Sequence, residues 1–159
     1  MEAKSAKTYT VFKTGVIDPD EATAMFIYLS TEIKWDEGIR SRKGPTRLGK
    51  SIDLEEHPEI LRMIVTALST VQPDMKEAGI FGAYLNYYRD GDMWTPNHSH
   101  KGTAQLVISL GATRTLQVGK KEYPMSNGSA IMFGSAIHGV PKEPLVKEGR
   151  ISIAVFIAK

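Results

Sequence analysis

Three of the four histidines in this 159-residue chain fall in its second half. His98 and His100 are separated by one residue, so on an extended strand both rings project from the same face. His138 follows at the end of the segment IMFGSAIHGVP. Imidazole is the commonest protein ligand for transition metals, and an H-x-H pair with a distant histidine on a neighbouring strand can form one triangular face around an ion. The plain alternative for each ring is a hydrogen-bonded filler between strands. The placement favours a metal, because His98 and His138 both flank Gly/Pro-rich turns where a barrel opens. His57, directly before Pro58, reads as a capping or surface residue.

A second chemical signal is Arg150, which opens the otherwise apolar stretch RISIAVFIA. Alternation puts Arg150, Ser152, Ala154 and Phe156 on one face and Ile151, Ile153, Val155 and Ile157 on the other. A guanidinium facing a barrel interior wants a carboxylate, and its rigid fork suits a bidentate one. No buried acid is evident for it, so a small-molecule carboxylate is the expected guest, with Asn86, Tyr88 and Ser152 as neutral donors. A strand-end arginine reaching solvent is the competing reading. The third signal is KWDEGIRSRKGPTRLGK at 34–50, where Lys34, Arg40, Arg42, Lys43, Arg47 and Lys50 face only Asp36 and Glu37. Its glycines and proline exclude a helix and predict an exposed loop or short hairpin. It is either a solvated surface or a lid over a polyanionic substrate.

The elements that must position these residues change character near residue 80. Asp18 is a good N-cap, Pro19 fits the first helical position, and Glu21 completes a capping-box spacing. Ala22, Met25, Phe26 and Leu29 then form an apolar stripe. Pro58 starts a second helix with Ile60, Leu61, Ile64, Val65 and Leu68 on one face, ending before Pro73. From Phe81 the period is two: Phe81, Ala83, Leu85 and Tyr87 face one way, and Tyr84, Asn86 and Tyr88 the other. Further strands are expected at Gln105–Leu110, Thr113–Val118, through Tyr123, at Ala130–Phe133 and at Arg150–Ala158, with turns at Gly111-Ala112, Gly119-Lys120 and Asn127-Gly128. Helices gathered before many short strands predict an α+β fold: a double-stranded β-helix, or jelly roll, with two supporting N-terminal helices on one side. One domain is expected over 1–159, with 1–80 as helical support and lid and 81–159 as the jelly-roll core.

The composition narrows the function classes. No cysteine is present, which excludes a disulfide scaffold, thiolate zinc sites and a cysteine nucleophile. No apolar run approaches the ~20 residues of a membrane helix, and MEAKSAKTYT lacks a signal-peptide core. A soluble, cytoplasmic monomer is the expectation. Twenty Lys+Arg against 18 Asp+Glu give a net charge of +2, which permits an acidic partner without demanding one.

Taken together, the motifs resemble the AlkB-like Fe(II)/2-oxoglutarate-dependent dioxygenases. The family's order of N-x-Y-x-x-G, H-x-D, S-L-G-x-x-R, a Gly-led strand, a distal histidine and R-x-S stands here as Asn86-Tyr87-Tyr88-Arg89-Asp90-Gly91, His98-Ser99-His100, Ser109-Leu110-Gly111-Ala112-Thr113-Arg114, Gly128, His138 and Arg150-Ile151-Ser152. The match runs over about residues 81–157, and PTRLGK at 45–50 is similar to part of the family's nucleotide-recognition lid. The resemblance implies iron at His98 and His138, with His100 in the third place. It also implies 2-oxoglutarate against Arg150 with Asn86, Tyr88 and Ser152, O2 as co-substrate, and oxidation of an N-alkyl group on a single-stranded or damaged nucleic-acid base. Substrate contacts are expected from Arg40, Arg42, Lys43, Arg47 and Trp94.

Two positions depart from the pattern: His100 replaces the carboxylate ligand, and Phe156 stands where a second arginine is usual. Three neutral imidazoles cancel neither charge of Fe(II), and three nitrogens suit zinc, nickel or copper on the usual affinity order, which puts turnover in question. Two other readings stand beside the first. One is an oxygenase of the same fold acting on a small molecule or protein side chain, and the other is a three-His metal-binding jelly roll without oxygenase activity.

Overall fold

The computed structural model describes residues 10–41, 44–72 and 79–158, with the side chains of 37–45, 81 and 158 outside the described set. Two helices lie against one face of a seven-stranded antiparallel sheet, and a four-stranded sheet faces its other side. Helix α1 spans Pro19–Glu32 and α2 spans Pro58–Val71. Asp18 caps α1 as its spacing predicts, its carboxylate accepting from the N–H groups of Asp20 and Glu21 at 3.1 and 3.3 Å. His57 occupies the N-cap position of α2 but caps nothing: its side chain makes no cap bond, and its buried Nδ1 has no partner.

The large sheet runs β1 (Val11–Lys13), β9 (Ala130–Phe133), β6 (Thr103–Gly111), β11 (Arg150–Ala158), β4 (Ile80–Tyr88), β3 (Gly44–Ile52) and β2 (Asp36–Ser41). The small sheet runs β5 (Thr95–His98), β10 (His138–Val140), β7 (Arg114–Val118) and β8 (Lys121–Met125). This is the jelly roll with helices on one side that the sequence predicts. Strand β11 lies at its centre, paired antiparallel with both β4 and β6. Ile151, Ile153, Val155 and Ile157 join Leu29, Ile64 and Leu68 in the core beneath the helices. The two sheets enclose a smaller core of Tyr88, Val107, Leu116, Val118, Met125, Ile131, Phe133 and Val140.

The first eighty residues supply more than helical support. Strand β1 pairs with β9, and the 34–50 segment is a hairpin whose second strand pairs with β4, with Leu48 opposite Tyr87 and Gly49 opposite Asn86. The basic segment therefore extends the main sheet and brings Arg47 to its inner side. Among the described residues no helix is long and apolar enough to cross a membrane.

Candidate metal centre and anion pocket

Between the sheets lies a cavity of about 370 Å³, lined by residues of β3, β4, β5, β6, β7, β10 and β11, together with His100. Alternation explains what reaches it. Tyr84, Asn86 and Tyr88 come from β4, Arg150, Ser152, Ala154 and Phe156 from β11, and Gln105 and Val107 from β6.

The three histidines meet on its wall. His138 on β10 pairs directly with His98 on β5, and their ring centroids are 4.3 Å apart. His100 lies just beyond the end of β5, so its convergence is not that of two alternate residues on one strand as predicted. It closes the group nonetheless, 4.8 Å from the His98 ring and 5.5 Å from that of His138. One ligand nitrogen from each ring lies within 4.8 Å of the others, a grouping that would have to draw closer to share a ~2.0–2.1 Å metal–nitrogen shell. Close approach of β5 and β10 depends on Gly139, where a Cβ would collide with the Asn97 side chain and the Thr95 carbonyl.

Protons are arranged for ligation. His98 Nδ1 lies 2.8 Å from the Pro96 carbonyl and His138 Nδ1 lies 3.0 Å from that of Ala136. A carbonyl only accepts, so each neutral ring carries its proton on Nδ1 and leaves the Nε2 lone pair for an ion. Burial pushes His138 down to about 4, with the other two rings adding to the fall and the Ala136 carbonyl opposing it. Burial, then the neighbouring His98, lowers His100 as well. Neutral imidazole is the form that binds metal.

Opposite the histidines sits Arg150, 1% exposed. Its Nε donates to Ser109 Oγ at 2.7 Å, and that hydroxyl donates on to the Met125 carbonyl at 3.3 Å. Its Nη2 is buried and has no partner. Burial pulls the guanidinium down to about 10, with Tyr88 working against the fall, so it remains charged near neutral pH. A buried charge with an unused donor is costly unless something fills the space before it.

Tyr88 joins this site to a second buried arginine that the sequence reading left without a role. The Tyr88 ring centroid lies 5.4 Å from the Arg150 guanidinium and 5.3 Å from that of Arg114, and its hydroxyl is 2.6 Å from Thr95 Oγ1. Arg114 donates through Nε to Glu143 at 3.1 Å, through Nη1 to the Asp90 carbonyl at 3.1 Å, and through Nη2 to the Met93 and Pro141 carbonyls, both at 2.8 Å. Met93 leads into the strand carrying His98, and Pro141 follows the strand carrying His138. One nitrogen thus ties together the chain segments flanking both histidines. Glu143 also accepts from the backbone N–H and hydroxyl of Thr115. Nothing in the sequence pairs Arg114 with an acid 29 residues away in a loop.

Arg47 reaches the cavity from β3, donating through Nε to Asn86 Oδ1 at 2.8 Å and through Nη1 to Thr46 Oγ1 at 3.1 Å. Asn86 is therefore already engaged by Arg47. Phe156 stands edge-on to His100, with centroids 5.2 Å apart. Trp94 does not line this cavity; it lies in a shallow groove with Pro96, Gln117 and Lys142, whose ammonium sits 5.8 Å over the indole. The Arg40, Arg42 and Lys43 side chains fall outside the described residues.

No protein-family model matches this chain, and neither does any curated protein. Solved structures do match in fold. The epimerase SnoN from nogalamycin biosynthesis, in complex with Fe3+, alpha ketoglutarate and nogalamycin RO, superposes with a TM-score of 0.70 at 12% identity, covering 99% of this chain and 81% of that one. A prolyl-4-hydroxylase of Pseudomonas putida matches with a TM-score of 0.63 at 13% identity, over 99% of this chain and 96% of its own. A predicted oxalate decarboxylase of Thermotoga maritima matches with a TM-score of 0.56 at 13% identity, over 82% and 96%. At these identities the likeness is one of fold, a jelly roll shared by an epimerase that holds iron and alpha ketoglutarate, a prolyl-4-hydroxylase and a predicted oxalate decarboxylase.

Proposed function

We propose that this protein is an Fe(II)- and 2-oxoglutarate-dependent oxygenase of the AlkB-like type. The observation that carries the reading is one cavity holding three converging imidazoles and, opposite them, a fully buried arginine with an unused donor. Both features fit the absent groups. His98, His100 and His138 would hold the metal, and Arg150 would take the far carboxylate of 2-oxoglutarate with Ser152 and Tyr88 beside it. When bound, the metal and 2-oxoglutarate supply, with O2, oxidation of a substrate C–H bond coupled to release of succinate and CO2. The chain's part is geometric. Ser109 fixes the Arg150 fork, the Pro96 and Ala136 carbonyls fix the Nε2 lone pairs of two histidines, and the apolar walls Val107, Leu116, Ala154 and Phe156 exclude water.

For the substrate, the AlkB-like motif order and the basic hairpin support an N-alkylated nucleic-acid base, which must leave its stack to reach a cavity this deep. The fold shared with SnoN, whose complex holds nogalamycin RO, favours a small molecule as the second reading. Two measurements test the assignment. His98→Ala and His138→Ala should each lower metal affinity beyond the roughly 10–100-fold lost when a ligand's supporting partner is removed. His100→Asp should raise iron-dependent succinate formation, since a carboxylate cancels one charge of Fe(II). Unchanged metal content in both alanine variants would refute the centre, and a loss of turnover in His100→Asp would make the three-histidine set the working form.

A further inference from the structure

We propose that the substrate carries an anionic carboxylate or phosphate group, and that Arg47 is its seat. The inference rests on the oxygenase reading for the charge balance and on the described residues for everything else. The cavity lining includes two guanidiniums, Arg47 and Arg150, and no aspartate or glutamate. Among the described lining residues, therefore, no protein anion faces either arginine across this space. The neighbouring Arg114 is already matched by Glu143 and lends nothing to the balance. In the loaded site, Fe(II) and the 2-oxoglutarate dianion cancel one another, because the third ligand is His100 rather than a carboxylate. Two positive charges are then left in a low-dielectric pocket, where an unmatched charge is unfavourable.

Arg150 and Arg47 sit at different places in that pocket. Arg150 is 1% exposed, clamped by Ser109 at the centre of the large sheet. Arg47 is half-buried, one residue before the Leu48–Tyr87 pair on the hairpin strand, and among the described residues no carboxylate pairs with it. Its fork is pre-set: Asn86 holds Nε and Thr46 holds Nη1, and neither bond uses Nη2. A guanidinium fixed this way presents its remaining N–H groups in the planar geometry that carboxylate and phosphate oxygens accept. Tyr84 lines the same wall, and burial raises its phenol above the usual range so that it stays a neutral donor. Arg47 therefore selects among substrates for an anionic group, placing the rest of the molecule toward the histidines.

The test uses matched pairs that differ in the anion alone: thymidine 5′-monophosphate against thymidine, and benzoate against benzamide. Each is titrated calorimetrically into the full chain, alone and with Mn(II) and saturating 2-oxoglutarate. One pair should show the anionic member binding at least about 10-fold tighter, as a charge-assisted bond provides. Preference within the thymidine pair identifies a nucleotide phosphate, and preference within the benzoate pair a small carboxylic acid. Arg47→Gln should reduce that ratio to about 1–2 while changing 2-oxoglutarate affinity less than about 2-fold, and Arg47→Lys should retain part of it. Equal binding within both pairs, or an anion preference that survives Arg47→Gln, overturns the proposal. Failure of the wild-type chain to bind 2-oxoglutarate instead overturns the oxygenase reading, and the ratios measured on the chain alone still decide the role of Arg47.

Discussion

Arg114 and Arg150 are the largest fully buried side chains among the described residues, and they flank the same tyrosine ring. Their surroundings are opposite. Arg114 spends Nε, Nη1 and Nη2 on one carboxylate and three carbonyls, so its charge is matched within the chain. Arg150 meets only the hydroxyls of Ser109 and Tyr88, no carboxylate, and keeps an idle Nη2. Two buried cations of equal exposure therefore differ in their partners, one tied into the scaffold and the other keeping an unused donor beside the cavity. Burial alone would not tell them apart; the accounting of hydrogen bonds does.

That contrast can be broken by substitution. Arg114→Ala leaves the Asp90, Met93 and Pro141 carbonyls without this donor while Glu143 keeps its bonds from Thr115, and at roughly 1–3 kcal/mol for each unsatisfied buried group the cost is about 3–5 kcal/mol, which thermal or denaturant unfolding will register directly. A change within about 0.5 kcal/mol would show that Arg114 is no scaffold residue. Arg150→Met should do the reverse. Removing an under-satisfied buried charge leaves stability unchanged or slightly raised, while 2-oxoglutarate affinity falls by about 2–4 kcal/mol, roughly 30- to 1000-fold, in calorimetry. Large destabilisation with intact binding would exchange the two roles. The smallest effect belongs to the shared ring: Tyr88→Phe keeps the surface between the guanidiniums and loses the hydroxyl's contacts with Thr95 and Arg150, which predicts a loss of about 1 kcal/mol in denaturant unfolding. A cost several times larger would mean that the hydroxyl, not the ring, links the two sites.

The same accounting explains what could be read in the sequence. Arg150 was legible because a cation opening an apolar strand has few uses, and its alternation with Ser152, Ala154 and Phe156 fixed the side it faces. Both helices and the long strands followed from periodicity, with the Asp18 cap marking the start of α1 and Pro58 that of α2. Strands β1 and β10, three residues each, carry too little pattern to be seen, and β5 holds Pro96 within its four residues. The opposition of His98 and His138 depends on that short pairing, so the sequence could offer only the H-x-H spacing, the flanking turns and the motif order for their convergence, not the pairing itself. The hairpin was foreseen as an alternative, but its addition to the main sheet depends on backbone bonds to β4 that no local signal announces. The clasp formed by Arg114 depends on three backbone carbonyls, which sequence does not display.

Strand β11 separates two kinds of information along one line of chain. Odd-numbered residues from 151 to 157 belong to the helix-backed core, and even-numbered residues from 150 to 156 belong to the cavity. Substitutions at 152, 154 and 156 can therefore recode what the pocket accepts while the packing under the helices stays as it is. An inserted or deleted residue has no such licence, because it sends every following side chain to the opposite face. This strand is thus open to point mutation and closed to changes in length, so diversification of the pocket, by natural variation or directed evolution, should proceed here by exchange of side chains alone.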